Sequence, residues 1–138
     1  MPKANILVAD DEANIRIPCK EILEEEGYHV FEAASGQETL AVIKDHVIDL
    51  VLLDIKMPKL NGIEVLKRLK TEGIDTEVII FSGHGTIKDA VTAIKLDAYD
   101  YIECGNLDSK CCGFSFAAMS HLYCKCALRR YIVENFHR

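Results

Sequence analysis

Hydrophobic positions along the first hundred residues follow two alternating rhythms. Asn5-Ile6-Leu7-Val8-Ala9 is a short apolar run, the pattern of a strand buried on both faces. Ile15, Cys19, Ile22 and Leu23 then recur at spacings of three and four, which predicts a helix ending at Gly27. Pro18 lies inside this stretch and removes a backbone donor, so a kink or a displaced helix start is expected there. Tyr28 to Glu32 reads as a second strand. Ser35 caps a helix carrying Leu40 and Ile43, with Glu38 completing a capping box. Asp49 to Leu53 forms a third strand, and the loop Lys56 to Gly62 leads into a helix with Ile63, Val65, Leu66 and Leu69. Glu77 to Phe81 is a fourth strand, Thr86 to Leu96 a fourth helix and Ala98 to Ile102 a fifth strand. Strands alternating with helices imply crossover connections and a parallel sheet covered on both faces. The predicted architecture is a doubly wound α/β sandwich of five strands and five helices.

Composition sharpens this picture. With 138 residues, 49% of them hydrophobic, the chain suits one domain with a substantial core. No apolar run approaches the roughly 18 residues of a membrane span. The N-terminus enters a strand directly, so the expectation is a cytosolic protein without a secretory leader. A net charge of −6 argues against direct nucleic-acid binding, which needs a basic face. The average conceals a split, with a balance of −9 over residues 1–103 and +3 over 104–138. Five of the six cysteines also fall in that second stretch. Residues 1–103 therefore read as the domain core, and 104–138 as an atypical cysteine-rich fifth helix followed by a linker or dimerisation helix.

In open α/β sheets, ligands gather beyond the carboxyl ends of the strands. Here strand 1 is followed by Asp10 and Asp11, strand 3 by Asp54, strand 4 by Ser82 and strand 5 by Glu103-Cys104. Three carboxylates converging from two strand ends repel one another unless a cation is bound. Oxygen-only ligands favour a hard ion, and Mg²⁺ fits best. Taken singly, Asp10 or Asp11 also reads as a cap of the first helix. The third aspartate and the hydroxyl after strand 4 turn the reading toward a metal-assisted carboxylate nucleophile, with Ser82 donating to a transferred phosphoryl group.

The strings Ile6-Leu7-Val8-Ala9-Asp10-Asp11-Glu12, Asp49 to Pro58 with Gly62, and Phe81 to Thr86 with Ala98 to Ile102 carry a resemblance. Over residues 4–103 the chain resembles the receiver domain of two-component response regulators, and among them the receivers of nitrogen-regulation-type transcription activators. The resemblance implies a flavodoxin-like fold with strand order 2-1-3-4-5. It implies that Asp54 is the phosphoacceptor, charged by a sensor histidine kinase. Asp11, Asp54 and the backbone carbonyl of Lys56 would hold Mg²⁺, with Asp10 helping through water. Ser82 and Tyr101 would form a switch pair that alters the face made by the fourth helix, the fifth strand and the fifth helix. Without the resemblance, Tyr101 also reads as an ordinary half-buried strand aromatic.

One position departs from the family. Receivers place Lys-Pro after strand 5, where this chain has Cys104-Gly105. A thiol is too short and uncharged to replace the ammonium, so attenuated switching is expected. The Lys56 side chain reads either as a partial substitute at the pocket rim or as a solvated loop lysine.

In the tail, Cys112, Phe116, Met119, Tyr123 and Cys126 form a helical stripe able to cover the sheet. Leu128, Tyr131, Ile132 and Phe136 suit pairing with a second chain, so a homodimer is expected through this helix or through the switch face. His121, Cys124 and Cys126 lack structural-zinc spacing and read as packing residues. The abrupt change at Cys104 leaves open a tail altered at the level of its coding frame.

Three rival functions remain. An aspartyl-nucleophile phosphatase would want a second Asp two residues after the nucleophile, where Lys56 stands. A nucleotide-binding module would want a glycine-rich turn where Asp10-Asp11-Glu12-Ala13 stands. A degenerate receiver used only for protein contacts is kept in play by Cys104. The leading reading is a binding module controlled by phosphorylation rather than an enzyme.

Overall fold

The four-residue run Leu50–Leu53 is buried at every position, and so are the last four residues of Asn5–Ala9. Only a strand covered by helices on both sides tolerates this in water. The computed structural model describes residues 4–82 and 87–103, with positions 81, 82, 87 and 100–103 described through the backbone alone. Nine elements follow in strict alternation. They are β1 (Asn5–Ala9), α1 (Ala13–Glu25), β2 (His29–Ala33), α2 (Gly36–Asp45), β3 (Leu50–Leu53), α3 (Gly62–Thr71), β4 (Glu77–Ser82), α4 (Ile87–Lys95) and β5 (Asp100–Glu103). The five strands form one parallel sheet in the order β2-β1-β3-β4-β5.

Register divides the core by parity. Leu7, Val51, Val78 and Ile80 point to one face and pack with Leu40 and Ile43 of α2, Val65, Leu66 and Leu69 of α3, and Ala93 of α4. Ile6, Val8, Leu50, Leu52 and Ile79 point to the other and pack with Cys19 and Leu23 of α1. Apolar burial of this kind is worth about 25 cal/mol per Å², which makes these two layers the principal source of stability. A one-residue slip of any central strand would exchange its two faces.

Helix ends follow local chemistry. The Ser35 hydroxyl accepts from the Glu38 N–H at 3.1 Å, and the Glu38 carboxylate reaches back to the Ala34 N–H at 2.8 Å. The reciprocal bond thus lands one residue before the cap. At α3 the Asn61 side chain accepts from the Glu64 N–H at 3.0 Å. Gly27 closes α1 with φ of 95°, the left-handed geometry that favours glycine.

Some expectations need correcting. The start of α1 is not displaced by Pro18, because the helix runs through it from Ala13 to Glu25. Proline leaves the Asn14 carbonyl without a helical donor, but Asn14 is exposed and water can serve it. The second strand begins at His29, because Tyr28 is buried and its N–H turns back to the Leu23 carbonyl at 3.1 Å. The fifth strand begins at Asp100 rather than Ala98, since Asp97 adopts φ of 60° and the Ala98 N–H bonds to Ala93. The expected fifth helix, the dimerisation helix and the cysteine-rich stripe lie outside the described residues.

Candidate functional site

The site begins with two strand ends lying side by side. Ala9 is level with Leu53 in the β1–β3 pairing, so the next residue of each strand, Asp10 and Asp54, emerges at the same edge. Backbone bonds hold both in place. The Asp54 N–H donates to Ala9 at 2.9 Å, and the Asp10 N–H donates to Ala33 on β2 at 3.0 Å. Side-chain oxygens of Asp10, Asp11 and Asp54 all lie within 4.8 Å of one another. Asp10 and Asp54 are buried, only 4% and 8% exposed, while Asp11 opens to solvent.

Asp10 does not act as the helix cap. The N-cap position of α1 is Glu12, with no side-chain cap bond, and Asp10 Oδ1 instead accepts from the Glu12 N–H at 2.9 Å. That bond folds the acidic loop into an Asx turn. The electrostatic cost is visible at Asp10. Burial pushes its carboxyl up to about 7, against the pull of the Glu12 N–H, and the charges of Asp54, Asp11 and Glu12 add to the rise. A part-buried all-oxygen cluster in which like charges press on one another is the environment that a small hard cation relieves.

The loop after β3 shapes the other wall. Ile55, Met57 and Leu60 point inward and Lys56, Pro58 and Lys59 outward. The Gly62 N–H closes this loop onto Ile55 at 2.8 Å. A Cβ at Gly62 would sit 2.2 Å from the Asp54 carbonyl oxygen and 2.9 Å from its carbon, so α3 starts pressed against the backbone of Asp54. A Cβ at Gly36 would likewise meet the Leu60 carbonyl at 2.5 Å. Both glycines are needed for close approach of backbone to backbone.

The other predicted residues divide. Ser82 is the last residue of β4, two past Ile80, which is level with Leu53. Its backbone therefore stands at the carboxyl end of the sheet, on the strand beside that of Asp54. Tyr101 lies in β5 level with Ile80. The Lys56 side chain is exposed. Cys104 lies outside the described residues.

Sequence reading missed a charged group behind the acidic loop. Arg16 Nη1 donates to the Asp10 carbonyl at 2.8 Å, and its Nε pairs with Glu32 at 3.2 Å. Lys20 also pairs with Glu32 at 3.2 Å, and Glu32 raises the Lys20 pKa by hydrogen bond and charge. Arg16 to Lys20 is a helical i to i+4 step, a signal present in the chain. Their shared partner becomes apparent only once β2 is known to lie beside β1.

Comparison with known proteins agrees with this geometry. Residues 6–104 match the family model described as the response regulator receiver domain. Sporulation initiation phosphotransferase F of Bacillus subtilis (strain 168) is 41% identical over 87 residues, which cover 63% of this chain and 70% of that protein. A putative NtrX-like response regulator of Rickettsia bellii is 39% identical over 105 residues, covering 75% of this chain and 22% of that protein. The chain thus spans about a fifth of that relative. Among solved structures, the receiver domain of NtrX from Brucella abortus superposes with a TM-score of 0.66 at 41% identity, over 71% of this chain and 83% of that one. The response regulator TrrA from Thermotoga maritima, solved in complex with Mg(2+)-BeF, superposes with a TM-score of 0.70 at 29% identity, over 95% and 97%. The parallel 2-1-3-4-5 sheet, the aspartates at its carboxyl edge and these matches together identify the chain as a member of the response regulator receiver domain family, with NtrX-like character.

Proposed function

We propose that this chain is a phosphoacceptor of two-component signalling, with Asp54 receiving phosphate from a sensor histidine kinase. The observation that carries the reading is the approach of the Asp10, Asp11 and Asp54 carboxylates within 4.8 Å of one another at the carboxyl edge of the sheet. In the transfer, an Asp54 carboxylate oxygen attacks phosphorus, the N–P bond of a phosphohistidine breaks, and the imidazole leaves with the electron pair. Asp10, Asp11, Asp54 and the Lys56 carbonyl would hold Mg²⁺, which when bound neutralises charge on the transferred group. The burial and mutual repulsion of these carboxylates fit such an ion.

Ser82 would donate its hydroxyl to the phosphoryl oxygen, and the Tyr101 ring would fill the space that the hydroxyl leaves. The local charge change would then shift the population of the α4–β5 face. On this reading phosphorylated Asp54 is itself the signal, and the chain works as a cytoplasmic binding module controlled by phosphorylation. A homodimer would form through the α4–β5 face or the C-terminal helix.

Cys104 stands where receivers carry lysine, and it supplies no cation to the phosphoryl group. The charge-assisted hydrogen bond forgone is worth about 1.5–3 kcal/mol, so switching is attenuated while metal uptake is retained. Cys104 also favours a second reading, a degenerate receiver that contacts partners without phospho-switching.

Mass spectrometry after incubation with a small phosphodonor and Mg²⁺ tests the proposal. One phosphoryl group on the native chain and none on Asp54→Ala is the expected result, and no uptake by the native chain overturns it. A conformational readout of native chain against Cys104→Lys separates the two readings. A stronger response in the variant supports attenuation, and no response in either supports the degenerate receiver. Multiple turnover of a phosphate monoester would support a phosphatase instead.

A further inference from the structure

The Asp10 carbonyl lies just past the point where the β1–β2 ladder stops. The Asp10 N–H still pairs with Ala33, but Ala33 is the last residue of β2. Arg16 takes up this carbonyl, one guanidinium nitrogen donating to Asp10 at 2.8 Å while Nε is held by Glu32 at 3.2 Å. Glu32 is itself held from the other side by Lys20. The guanidinium is thus oriented from β2 and delivered from α1 onto the main chain that carries the buried acid.

Stability alone is a weak explanation. The Arg16 and Glu32 side chains are 17% and 31% exposed, and partly solvated pairs of this kind contribute little. The pair does fix where the Asp10 peptide sits, and through the Asx turn where its carboxylate points. Arginine suits the task because its rigid fork serves two acceptors in set directions, which a lysine ammonium on a flexible stem does not. Glu32 offsets part of its charge, and the contact it makes at the pocket is with main chain rather than with a carboxylate.

We propose that Arg16, oriented by Glu32, is a positioning residue that sets the Asp10 main chain and so tunes the divalent-cation affinity of the acidic pocket. The inference rests on the metal-dependent phosphoacceptor reading above. Groups that orient metal ligands in this way typically govern affinity by tenfold or more.

The test is calorimetric titration of the full chain with Mg²⁺ alone at pH 8, for the native protein, Arg16→Ala, Glu32→Ala and the double variant. Arg16→Ala is expected to bind about tenfold more weakly, Glu32→Ala about threefold, and the double variant no more weakly than Arg16→Ala, because both act through one linkage. In NMR spectra without added metal, the Asp11 and Glu12 amide resonances are expected to shift in Arg16→Ala. Native-like Mg²⁺ affinity in Arg16→Ala overturns the inference and leaves the phosphoacceptor reading intact. Losses that simply add in the double variant overturn the coupling to Glu32. No uptake by the native chain overturns both readings. Should Arg16→Ala fail to fold, Arg16→Lys is read by the same titration. It retains the charge without the fork, so about threefold weakening supports positioning and native affinity overturns it.

Discussion

The two ends of the sheet treat buried and half-buried polar groups in opposite ways. At the amino end, among the described residues, Asn5, Asp49 and Thr76 all find partners. Asp49 accepts from the Asn5 N–H at 2.9 Å, the Asn5 side chain donates to Val47 at 2.7 Å, and the Thr76 hydroxyl donates to Ile48 at 3.0 Å. At the carboxyl end, Asp10 and Asp54 are buried beside each other and beside Asp11, and the repulsion is borne rather than relieved. The amino end stitches β1 to the segment entering β3, and that segment to the one entering β4. The carboxyl end concentrates like charges, which on the proposed function a bound cation would offset. Polar residues at strand ends thus have two uses: at one end they link neighbouring segments, and at the other they gather like charges.

Four perturbations test this contrast, from the largest expected effect to the smallest. Asp54→Ala is expected to abolish phosphoryl uptake altogether while stabilising the ion-free fold by about 1 kcal/mol, measured by mass spectrometry and urea denaturation. Loss of stability in this variant would remove the repulsion argument.

The second perturbation is pH. Asp10 titrates near 7 in the fold and near 3.8 unfolded, so between these values the native state binds the extra proton. Ion-free stability therefore falls as pH rises from about 4 to about 7, by at most about 4 kcal/mol from this group, and levels off above. Asp10→Asn should remove that slope. Conversely, Mg²⁺ affinity in the native chain should rise by up to about tenfold per pH unit up to 7, because the proton must leave Asp10. A pH-independent titration between 5 and 7 would contradict this.

Third, Gly62→Ala is expected to lose about 3 kcal/mol in urea, since its Cβ meets backbone rather than a movable side chain. Phosphoryl uptake should fall with it. Smallest is Asp49→Ala at the amino end, expected to cost about 1–2 kcal/mol while leaving Mg²⁺ affinity unchanged. An altered affinity there would mean that the two ends are coupled.

Much of this was legible in the chain because its signals are local. Runs such as Leu50 to Leu53 and the spacing of Cys19, Ile22 and Leu23 name their elements without tertiary knowledge. The convergence of Asp10, Asp11 and Asp54 was legible because acids at strand ends meet once the strands are parallel and adjacent. Pro18 misled because local propensity yields when the bond it breaks belongs to an exposed carbonyl. The Asn61–Glu64 cap repeats the Ser35–Glu38 spacing and could have been read from it. The partnership of Arg16 with Glu32 joins a helix to the sheet's edge strand and required the topology first. Strand starts at Tyr28 and Ala98 shifted because turns with long-range backbone bonds set them.

Gly36 and Gly62 carry a consequence for how reagents reach Asp54. With two helix starts seated directly on the segment from Asp54 to Leu60, that segment has no slack on its inner side. On the proposed function, a phosphodonor would meet the exposed Asp11 and Lys56 on its way to the buried Asp54. Selectivity among donors would then be set by contour and charge at that rim, before any bond to phosphorus is made or broken.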